Sequence, residues 1–358
     1  MKTTLKNNNK LVHKSLKSDT NKFGYTTDNL EKSCFKWKLN ALSAYLDPQN
    51  VPSHFTLMTM NIWGLSKNQM DKYTHMNKRM HKISNLIKDK SPDIVCLQEM
   101  SSSSFSMIDK LISPKYYRSE NNFLSNSSMI SKRQRTLETF AYFKYRPQKV
   151  EVISIGGNIS YENSTLVITY PNLVIFNIYV QAGSNHSPGQ KDNASHYSRC
   201  RREQFQMIHQ HIKKIPKNKK IILCGDFNCH LDGNYNDWTE LKQIHAMKLT
   251  DTFRTLHPKL HGFTEDTKIN SMRWNTKFIN KQFRFDAILV KGLKPQQASI
   301  IGKKPFLLNQ KETKLVLQFL KKQGLQQKYS QIIYADDKKK NLYWWPSDHF
   351  GIITKLSF

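Results

Sequence analysis

The chain has 358 residues, and its 56 Lys and Arg residues against 27 Asp and Glu residues give a formal net charge of +29. Apolar residues make up 38% of the chain, which excludes a disordered composition and allows a sizeable core. No apolar run approaches the roughly 18–20 residues that cross a membrane. The basic N-terminus lacks the apolar segment of a signal peptide, and the five scattered cysteines indicate reduced thiols. We therefore expect an intracellular protein of the cytoplasm or nucleus.

The excess of positive charge favours a polyanionic partner. Nucleic acid, and DNA in particular, is the commonest partner of this kind, and an anionic membrane surface is the next. A genome that favours Lys and Asn would raise the number of surface lysines in the same way, so charge alone does not decide the function. The sequence implies no stable protein partner.

Hydrophobic spacing predicts the first elements of the chain. Residues 1–50 are basic and polar with little periodicity, which indicates a flexible extension before a domain at 51–358. A strand is predicted at 55–61, and apolar residues three or four apart predict a helix over 76–90. A buried strand at 94–99 follows.

The rest of the chain is predicted to be mostly strands. A short helix is expected near 105–112, a loop at 183–195 and a helix over 197–214. Pro171-Asn172 is a turn signal that joins two strands into a hairpin. The further strands are 129–132, 139–145, 149–155, 164–170, 173–180, 221–224, 285–290 and 350–356. This pattern predicts an α/β sandwich, in which two mixed β-sheets pack together and the helices lie outside.

Polar residues stand at the ends of five predicted strands. Loops that leave strand ends form the ligand sites of α/β proteins, so we expect these side chains to converge. Carboxylate and amide oxygens suit a hard cation such as Mg²⁺, and a His–Asp pair suits proton transfer. Any one of them alone would equally suit a turn or a strand cap. The residues are Asn61, Glu99, Asp226, Asn228, Asp286, Asp348 and His349.

Five segments resemble one known family in sequence and in order. They are Thr59–Leu65, Pro92–Met100, Cys224–Asn228, Arg284–Val290 and Pro346–Ile352. Together they resemble the endonuclease/exonuclease/phosphatase superfamily, the fold of deoxyribonuclease I, across about residues 55–357. The resemblance implies a four-layered α/β sandwich and Mg²⁺-dependent hydrolysis of phosphoesters, with Mn²⁺ as a substitute ion.

The resemblance implies a metal site and a water-activating group. Glu99 would be the main metal ligand, assisted by Asn61 and Asp348. Asp226 would orient or activate the attacking water, and Asn228 would hold a phosphate oxygen or help to place that water. The implied step is an in-line attack by water on phosphorus.

The resemblance also implies roles for His349, Asp286 and Tyr179. The chain differs from apurinic endonucleases at two places. His349 would donate to the phosphoryl oxygens or act as the base, and Asp286 would fix its tautomer. Tyr179 stands where apurinic endonucleases have a tyrosine, which implies a phosphate contact. Those enzymes continue with Pro-Asn where this chain has Gln181-Ala182, and they have an acidic residue at the position of Trp63.

In motif detail the chain is most similar to two branches of the superfamily. Residues 263–270, 284–286 and 345–351 resemble metal-dependent tyrosyl-DNA phosphodiesterases, which cleave the bond between a tyrosine and a DNA 5′-phosphate. Asn61–Gly64 resembles sphingomyelinase-like members. The sequence thus predicts a phosphodiesterase of nucleic acid, either a nuclease or a 5′-end-processing DNA repair enzyme. The alternatives are a sphingomyelinase-like phospholipid phosphodiesterase and a catalytically silent nucleic-acid-binding protein.

Residues 303–341 lengthen the chain between the last two motifs. They hold ten Lys against three acidic residues, and Leu315–Leu320 includes apolar residues at helical spacing. We predict a basic helical insertion near the rim of the site, either a clamp for a nucleic-acid backbone or a solvated loop. Trp344 and Trp345 would stack on a base or pack in the core.

Overall fold

The computed structural model describes residues 48–64, 71–119, 139–156, 164–183, 191–270, 272, 281–322, 334–336 and 341–358. Most of the predicted N-terminal extension, residues 1–47, lies outside this part of the chain. The strand predicted at 129–132 also lies outside it. The domain boundary at residue 50 and the extent of the insertion stay predictions.

Short and medium strands dominate the described chain. In chain order they are β1 His54–Asn61, β2 Ile94–Gln98, β3 Tyr117–Arg118, β4 Thr139–Phe143, β5 Lys149–Ser154, β6 Ser164–Thr169, β7 Leu173–Tyr179, β8 Lys220–Asp226, β9 Thr250–Asp251, β10 Glu265–Asp266, β11 Gln282–Phe283, β12 Asp286–Lys291, β13 Lys294–Ile301, β14 Phe306–Leu307, β15 Tyr334–Asp336, β16 Asn341–Trp344 and β17 Gly351–Ser357.

The helices lie between these strands in the chain. In chain order they are α1 Asp71–Thr74, α2 Met76–Lys90, α3 Ser102–Ile112 with a 3₁₀ turn at Ser113–Lys115, α4 Lys191–Lys213, α5 Leu241–Ala246, α6 Thr252–Leu256 and α7 Gln310–Lys322. The helix predicted over 76–90 is confirmed with the same bounds. It ends because Ser91 adopts a left-handed conformation, with its N–H on the Ile87 carbonyl, and because Pro92 follows.

Two mixed sheets of six described strands each form the centre of the fold. The first sheet has the order β13-β17-β1-β2-β4-β3, and the second has the order β5-β6-β7-β8-β12-β9. The pairs β1–β2 and β7–β8 are parallel, and the other pairs are antiparallel. The predicted hairpin is confirmed, since β6 and β7 pair on either side of Pro171-Asn172.

Strand alternation sorts the apolar side chains into layers. Leu57 on β1 is buried in the core between the two sheets, where Ile175 and Ile222 of the second sheet also lie. The next residue of β1, Met58, packs in the outer layer of the first sheet with Ile83 of α2. Residues of α4 and α5 form the corresponding layer outside the second sheet. The predicted α/β sandwich, with helices on the outer faces, is confirmed.

One boundary prediction was wrong. The loop predicted at 183–195 ends early, because α4 begins at Lys191, six residues before the predicted helix start. The reason is that residues 191–196, KDNASH, contain no apolar residue larger than alanine. Apolar periodicity therefore could not show the first turns of this helix.

Candidate active site

The strand register brings the predicted site residues to one edge of both sheets. Asn61 ends β1 beside the end of its parallel neighbour β2, and Asp226 ends β8 beside Tyr179 of β7. Asp286 begins β12, which is antiparallel to β8, so it pairs directly with Asp226. Because β17 is antiparallel to β1, its start places His349 at the same edge.

Asn61 joins the two sheets at this edge. Its Nδ2 donates to Glu99 Oε1 at 3.0 Å and to Asp226 Oδ2 at 2.9 Å, so one amide spans both sheets. The Tyr179 hydroxyl donates to the same Glu99 oxygen at 2.9 Å. Glu99 is turned out of the strand direction by a left-handed backbone, with φ of 55°. These four residues form one hydrogen-bonded chain, which we call the carboxylate–amide chain.

Asn228 fixes the carboxylate of Asp226 from the other side. Its backbone N–H donates to Asp226 Oδ1 at 2.8 Å, and its side-chain amide donates to Asp226 Oδ2 at 3.2 Å and to the Val180 carbonyl at 3.0 Å. Asn228 also has a left-handed backbone, with φ of 46°. Both Asp226 oxygens therefore accept hydrogen bonds, and the carboxylate is held in one orientation.

Gly225 makes the close approach of β7 and β8 possible. Its φ is +132°, a conformation that L side chains rarely adopt, and a Cβ there would overlap the carbonyl oxygen of Ile178. The residue before Asp226 therefore must be glycine in this geometry. The strand end that presents Asp226 depends on this single residue.

His349 and Asp286 form a buried pair. Nδ1 of His349 lies 2.9 Å from Asp286 Oδ2, and both residues are almost fully buried. Thr264 supports the pair, because its hydroxyl accepts hydrogen bonds from the backbone N–H groups of Asp286 and of Phe285 at 3.0 Å. With Nδ1 protonated and held by Asp286, the other ring nitrogen of His349 is the one that can face a substrate.

Ser347 connects the last loop of the site to the first. Its hydroxyl donates to the Asn61 carbonyl at 2.7 Å and lies 3.3 Å from Asp348 Oδ1. It also accepts from the His349 backbone N–H at 3.3 Å. Asp348 and His349 are thereby tied to the end of β1 through one serine.

Burial and repulsion change the acidity of the carboxylates. Burial raises the pKa of Glu99, and the neighbouring Asp348 carboxylate raises it further. Burial and the Asp286 carboxylate raise the pKa of Asp226 to about 7. Both carboxylates are therefore shielded from water, and each has another negative charge beside it.

The histidine responds in the opposite direction. Burial by itself lowers the pKa of His349, but the carboxylates of Asp286 and Asp226 outweigh it. They hold the pKa of His349 well above its usual value. In the absence of a further cation, these carboxylates therefore favour the protonated imidazole.

The donor set fits a hard divalent cation. The carboxylates of Glu99 and Asp348 repel one another, and a cation would remove that repulsion while taking oxygen ligands. Within the described residues, one ligand atom each of Asp226, Asp286 and His349 also lie within 4.8 Å of one another. Oδ1 of Asp286 is buried and has no hydrogen-bond partner there. The edge thus offers two neighbouring places for a cation. One lies beside Glu99 and Asp348, and the other among Asp226, Asp286 and His349.

Arg79 is an important residue that the sequence analysis missed. Its side chain is 1% exposed and donates to the carbonyls of Ile62 at 3.0 Å, Trp63 at 2.9 Å, Pro346 at 3.2 Å and Thr74 at 3.0 Å. It therefore ties the loop after Asn61 to the loop before Asp348. A signal was present, because Arg79 occupies an apolar position of the amphipathic helix α2.

The structure decides the role of the tryptophans near the site. Trp344 and Trp345 are 0% and 4% exposed, so of the two roles that the sequence left open, packing in the core is the one observed. Their indole N–H groups donate to the carbonyls of Thr74 and Lys303, both at 3.0 Å. Trp63 is half-buried and lies 5.0 Å from the Arg79 guanidinium.

The chain matches a family model and several solved structures. The model of the Endonuclease/Exonuclease/phosphatase family matches residues 58–349. A comparison with curated proteins finds no match. A truncated TDP2 of Caenorhabditis elegans is similar, with 17% identity and a TM-score of 0.54, over 85% of this chain and 98% of that chain.

Two further solved structures extend the likeness. TDP2 of D. rerio, complexed with a single strand DNA product, shares 16% identity and a TM-score of 0.53 over 86% of this chain and all of that chain. The mannosyl-6-phosphatase Bt3783 of Bacteroides thetaiotaomicron shares 13% identity and a TM-score of 0.55 over 85% of this chain and all of that chain. At these identities the likeness shows the fold.

The family match extends from β1 to His349 and includes every predicted site residue. It confirms the superfamily that the sequence motifs indicate, and the presence of TDP2 among the similar structures agrees with their detail. In the described residues, no helix is both long and apolar enough to cross a membrane. The chain belongs to the endonuclease/exonuclease/phosphatase family, whose members are phosphoester hydrolases.

Proposed function

We propose that the chain is a Mg²⁺-dependent phosphodiesterase that hydrolyses nucleic acid. DNA is the proposed substrate, and 5′-end processing is the proposed role. The observation that carries this proposal is the carboxylate–amide chain at the sheet edge, with the buried pair of His349 and Asp286 beside it. The net charge of +29 supports a polyanionic substrate. The likeness to TDP2 of D. rerio, whose structure holds a single strand DNA product, supports a nucleic acid.

Glu99, Asn61 and Asp348 are the residues that would hold the cation. The side-chain amide oxygen of Asn61, Oδ1, accepts from the Trp63 N–H at 2.9 Å and retains a second lone pair for an ion. When bound, Mg²⁺, or Mn²⁺ in its place, supplies positive charge that neutralises the phosphoryl oxygens. The Tyr179 hydroxyl, which donates to Glu99 Oε1, would turn to donate to the phosphate once the ion binds that oxygen.

Asp226 and His349 are suited to moving the protons of the reaction. Asp226, with a pKa of about 7, would accept a proton from water as the water oxygen attacks phosphorus. Asn228 holds Asp226 in place for this step. His349, when protonated and oriented by Asp286, would donate a hydrogen bond from its second ring nitrogen to a phosphoryl oxygen. The leaving oxygen would depart with the electron pair of its bond to phosphorus and take a proton from solvent.

A sphingomyelinase-like activity is the second candidate. It is favoured by the segment Asn61–Gly64, in which Trp63 replaces the acidic residue of apurinic endonucleases. The half-buried indole lies against Arg79, so this position cannot supply a further metal ligand. A lipid substrate would use the same phosphodiester chemistry at the same residues.

A substrate panel tests the proposal directly. The full chain with Mg²⁺, and then with EDTA, would be given 5′-tyrosyl DNA, abasic duplex, unmodified single strand and sphingomyelin micelles. We expect EDTA-sensitive cleavage of a DNA substrate. In His349→Ala we expect kcat to decrease by about 10²- to 10⁴-fold. Asp237→Asn, which removes an exposed carboxylate in another loop, is the matched control. Cleavage of sphingomyelin alone would contradict the choice of nucleic acid, and no cleavage at all would indicate a silent binding protein.

The place of the cation has its own test. Mn²⁺ binding can be measured by electron paramagnetic resonance in Glu99→Gln and in Asp286→Asn. We expect Glu99→Gln to weaken binding strongly and Asp286→Asn to change it little. The reverse result would move the ion to the group of Asp226, Asp286 and His349.

A further inference from the structure

Helix α7 presents a row of lysines to solvent. Lys311, Lys314, Lys321 and Lys322 are all exposed, and at 100° per residue they lie within about 100° of the helix circumference. The opposite face of α7 is buried, with Thr313, Val316 and Leu320 in the core. We call these four lysines the lysine face of α7.

The acidic side chain of α7 does not neutralise the lysine face. Glu312 is the single acidic residue between Gln310 and Lys322, and it forms an ion pair with Lys78 at 2.6 Å. It also accepts from the Asn309 N–H at 2.8 Å, while Asn309 Oδ1 accepts from the Glu312 N–H at 2.9 Å. This reciprocal cap fixes the start of the helix, and the lysine face is left with its full charge.

The helix is docked on the loops that carry the site. Val316 and Leu320 pack with Trp344, Trp345 and Phe350, which flank Pro346–His349. Thr313 Oγ1 accepts from the backbone N–H of Leu342 at 3.2 Å, which fastens α7 to strand β16.

A second contact joins α7 to α1 just after the first site loop. Phe319 stacks on Tyr73 of α1, with ring centroids 4.5 Å apart. Arg79 holds both the end of α1, through Thr74, and Pro346. The lysine face is therefore presented on an element that is packed against the active-site edge.

Resting on the function proposed above, we infer that the lysine face of α7 binds the phosphate backbone of a nucleic-acid strand outside the active site. Its lysines span twelve residues, a rise of about 16 Å along the helix, which is long enough to meet several successive phosphates. Lysine is a point charge, so the contact would be independent of sequence. The exposed positions carry no aromatic or aliphatic residue of the kind that enters a membrane surface.

The test compares two variants with the same change of charge. In the first, the four lysines of α7 are replaced by glutamine. In the second, Lys88, Lys213, Lys214 and Lys217 are replaced by glutamine. These control lysines are also exposed, but they lie before the starts of β2 and β8, at the edge opposite Asp226. The seven residues of β8 put about 20 Å between the two edges.

Binding of a fluorescein-labelled DNA 20-mer to the full chain would be followed by anisotropy in EDTA, between 0.05 and 0.3 M salt. Each lost phosphate contact lowers the slope of log K against log salt by about 0.7 for a single strand. We expect the α7 variant to lose about 2 to 3 from that slope and to bind at least about tenfold more weakly at 0.1 M salt. The slope of the control variant should fall by less than about 1. A variant with arginine at the four lysine positions of α7 should have the wild-type slope.

Three results would overturn the inference. They are an unchanged slope in the α7 variant, an equal loss in the control variant, and a selective loss of binding to phosphatidylserine vesicles with DNA binding retained.

The substrate panel separates this inference from the proposed function. If the wild type cleaves DNA and the α7 variant keeps its slope, the inference alone is wrong. If the wild type cleaves no DNA ester, the proposed function is wrong whatever the slope.

Discussion

Two groups of carboxylates in and beside the second sheet have different surroundings. One group is buried among other carboxylates, and the other is part-exposed and paired with arginine. The site carboxylates, represented by Asp226 and Asp286, are crowded together, and the pKa of Asp226 rises to about 7. The ion-paired carboxylates, Asp232 and Asp251, share the buried guanidinium of Arg284 at 2.8 Å and 2.6 Å.

The difference is caused by two neighbouring arginines. Burial by itself raises the pKa of Asp232, but hydrogen bonds and charge from Arg284 and Arg254 outweigh it and lower that pKa to about 2. The ion-paired carboxylates stabilise the fold, whereas the site carboxylates oppose it by their repulsion. Negative charge without a fixed arginine partner is what a site for a cation and a phosphate needs, and marginal stability there is a common consequence.

The largest expected effect comes from removing the close approach that presents Asp226. Gly225→Ala places a Cβ against the Ile178 carbonyl in a backbone conformation that alanine rarely adopts. We expect a loss of more than about 4 kcal/mol in the free energy of unfolding, measured by urea denaturation. Gly292→Ala is the control, because it also has a positive φ but would meet only the flexible Lys220 side chain. An equal loss in both variants would contradict the argument from strand packing.

Asp226→Asn removes charge from the crowded group. Because the folded pKa of Asp226 is raised to about 7, the wild type loses stability as pH rises from about 4 to about 7. The asparagine variant avoids that loss, so its stability relative to the wild type should increase across this window by about 4 kcal/mol. Activity should be abolished. The measurement is urea unfolding at several pH values in EDTA, and a pH-independent difference would disprove the raised pKa of Asp226.

Arg79→Lys tests the guanidinium that joins the two site loops. Lysine keeps the charge but cannot reach four separate carbonyls, so we expect a loss of about 3 kcal/mol in stability and a lower kcat. Lys82→Arg, on the exposed face of the same helix, is the reciprocal control. Full kcat in Arg79→Lys would show that the loops hold their positions without this residue.

The smallest effect is expected in the ion-paired group. The folded pKa of Asp232 is lowered to about 2, so its stabilisation is present above about pH 4 and is lost as pH falls toward 2. Asp232→Asn should therefore cost about 0.5–1 kcal/mol more at pH 7 than at pH 3, after allowance for screening at this part-exposed carboxylate. Activity per folded molecule should be retained. Thermal unfolding at the two pH values measures the difference, and a change of opposite sign would contradict the assignment of Arg284.

Much of the site was predictable because its residues occur in short motifs at strand ends. Glu99 follows an apolar run, and Asp226 follows another, so local pattern alone indicates where each strand stops. The layer that each apolar side chain enters also follows from strand alternation. Leu57 faces the core between the sheets, and Met58 faces the outer layer. The start of α4 was missed because its first turn carries no apolar signal. Arg79 was missed although it occupies an apolar position of α2. Its partners are backbone carbonyls, and a sequence motif does not show which carbonyls will be nearby.

By itself, the sequence determined the superfamily, the sandwich of two sheets and the residues that gather at one edge. The tertiary structure alone decided which of them touch. Asn61 and Asp226 are 165 residues apart in the chain and belong to different sheets, yet one amide joins them. Trp344 and Trp345 could be surface or core by pattern, and packing with α7, Met272 and Phe350 buries them. Local patterns encode elements and their faces, whereas contacts and pKa shifts depend on how those faces are brought together across space.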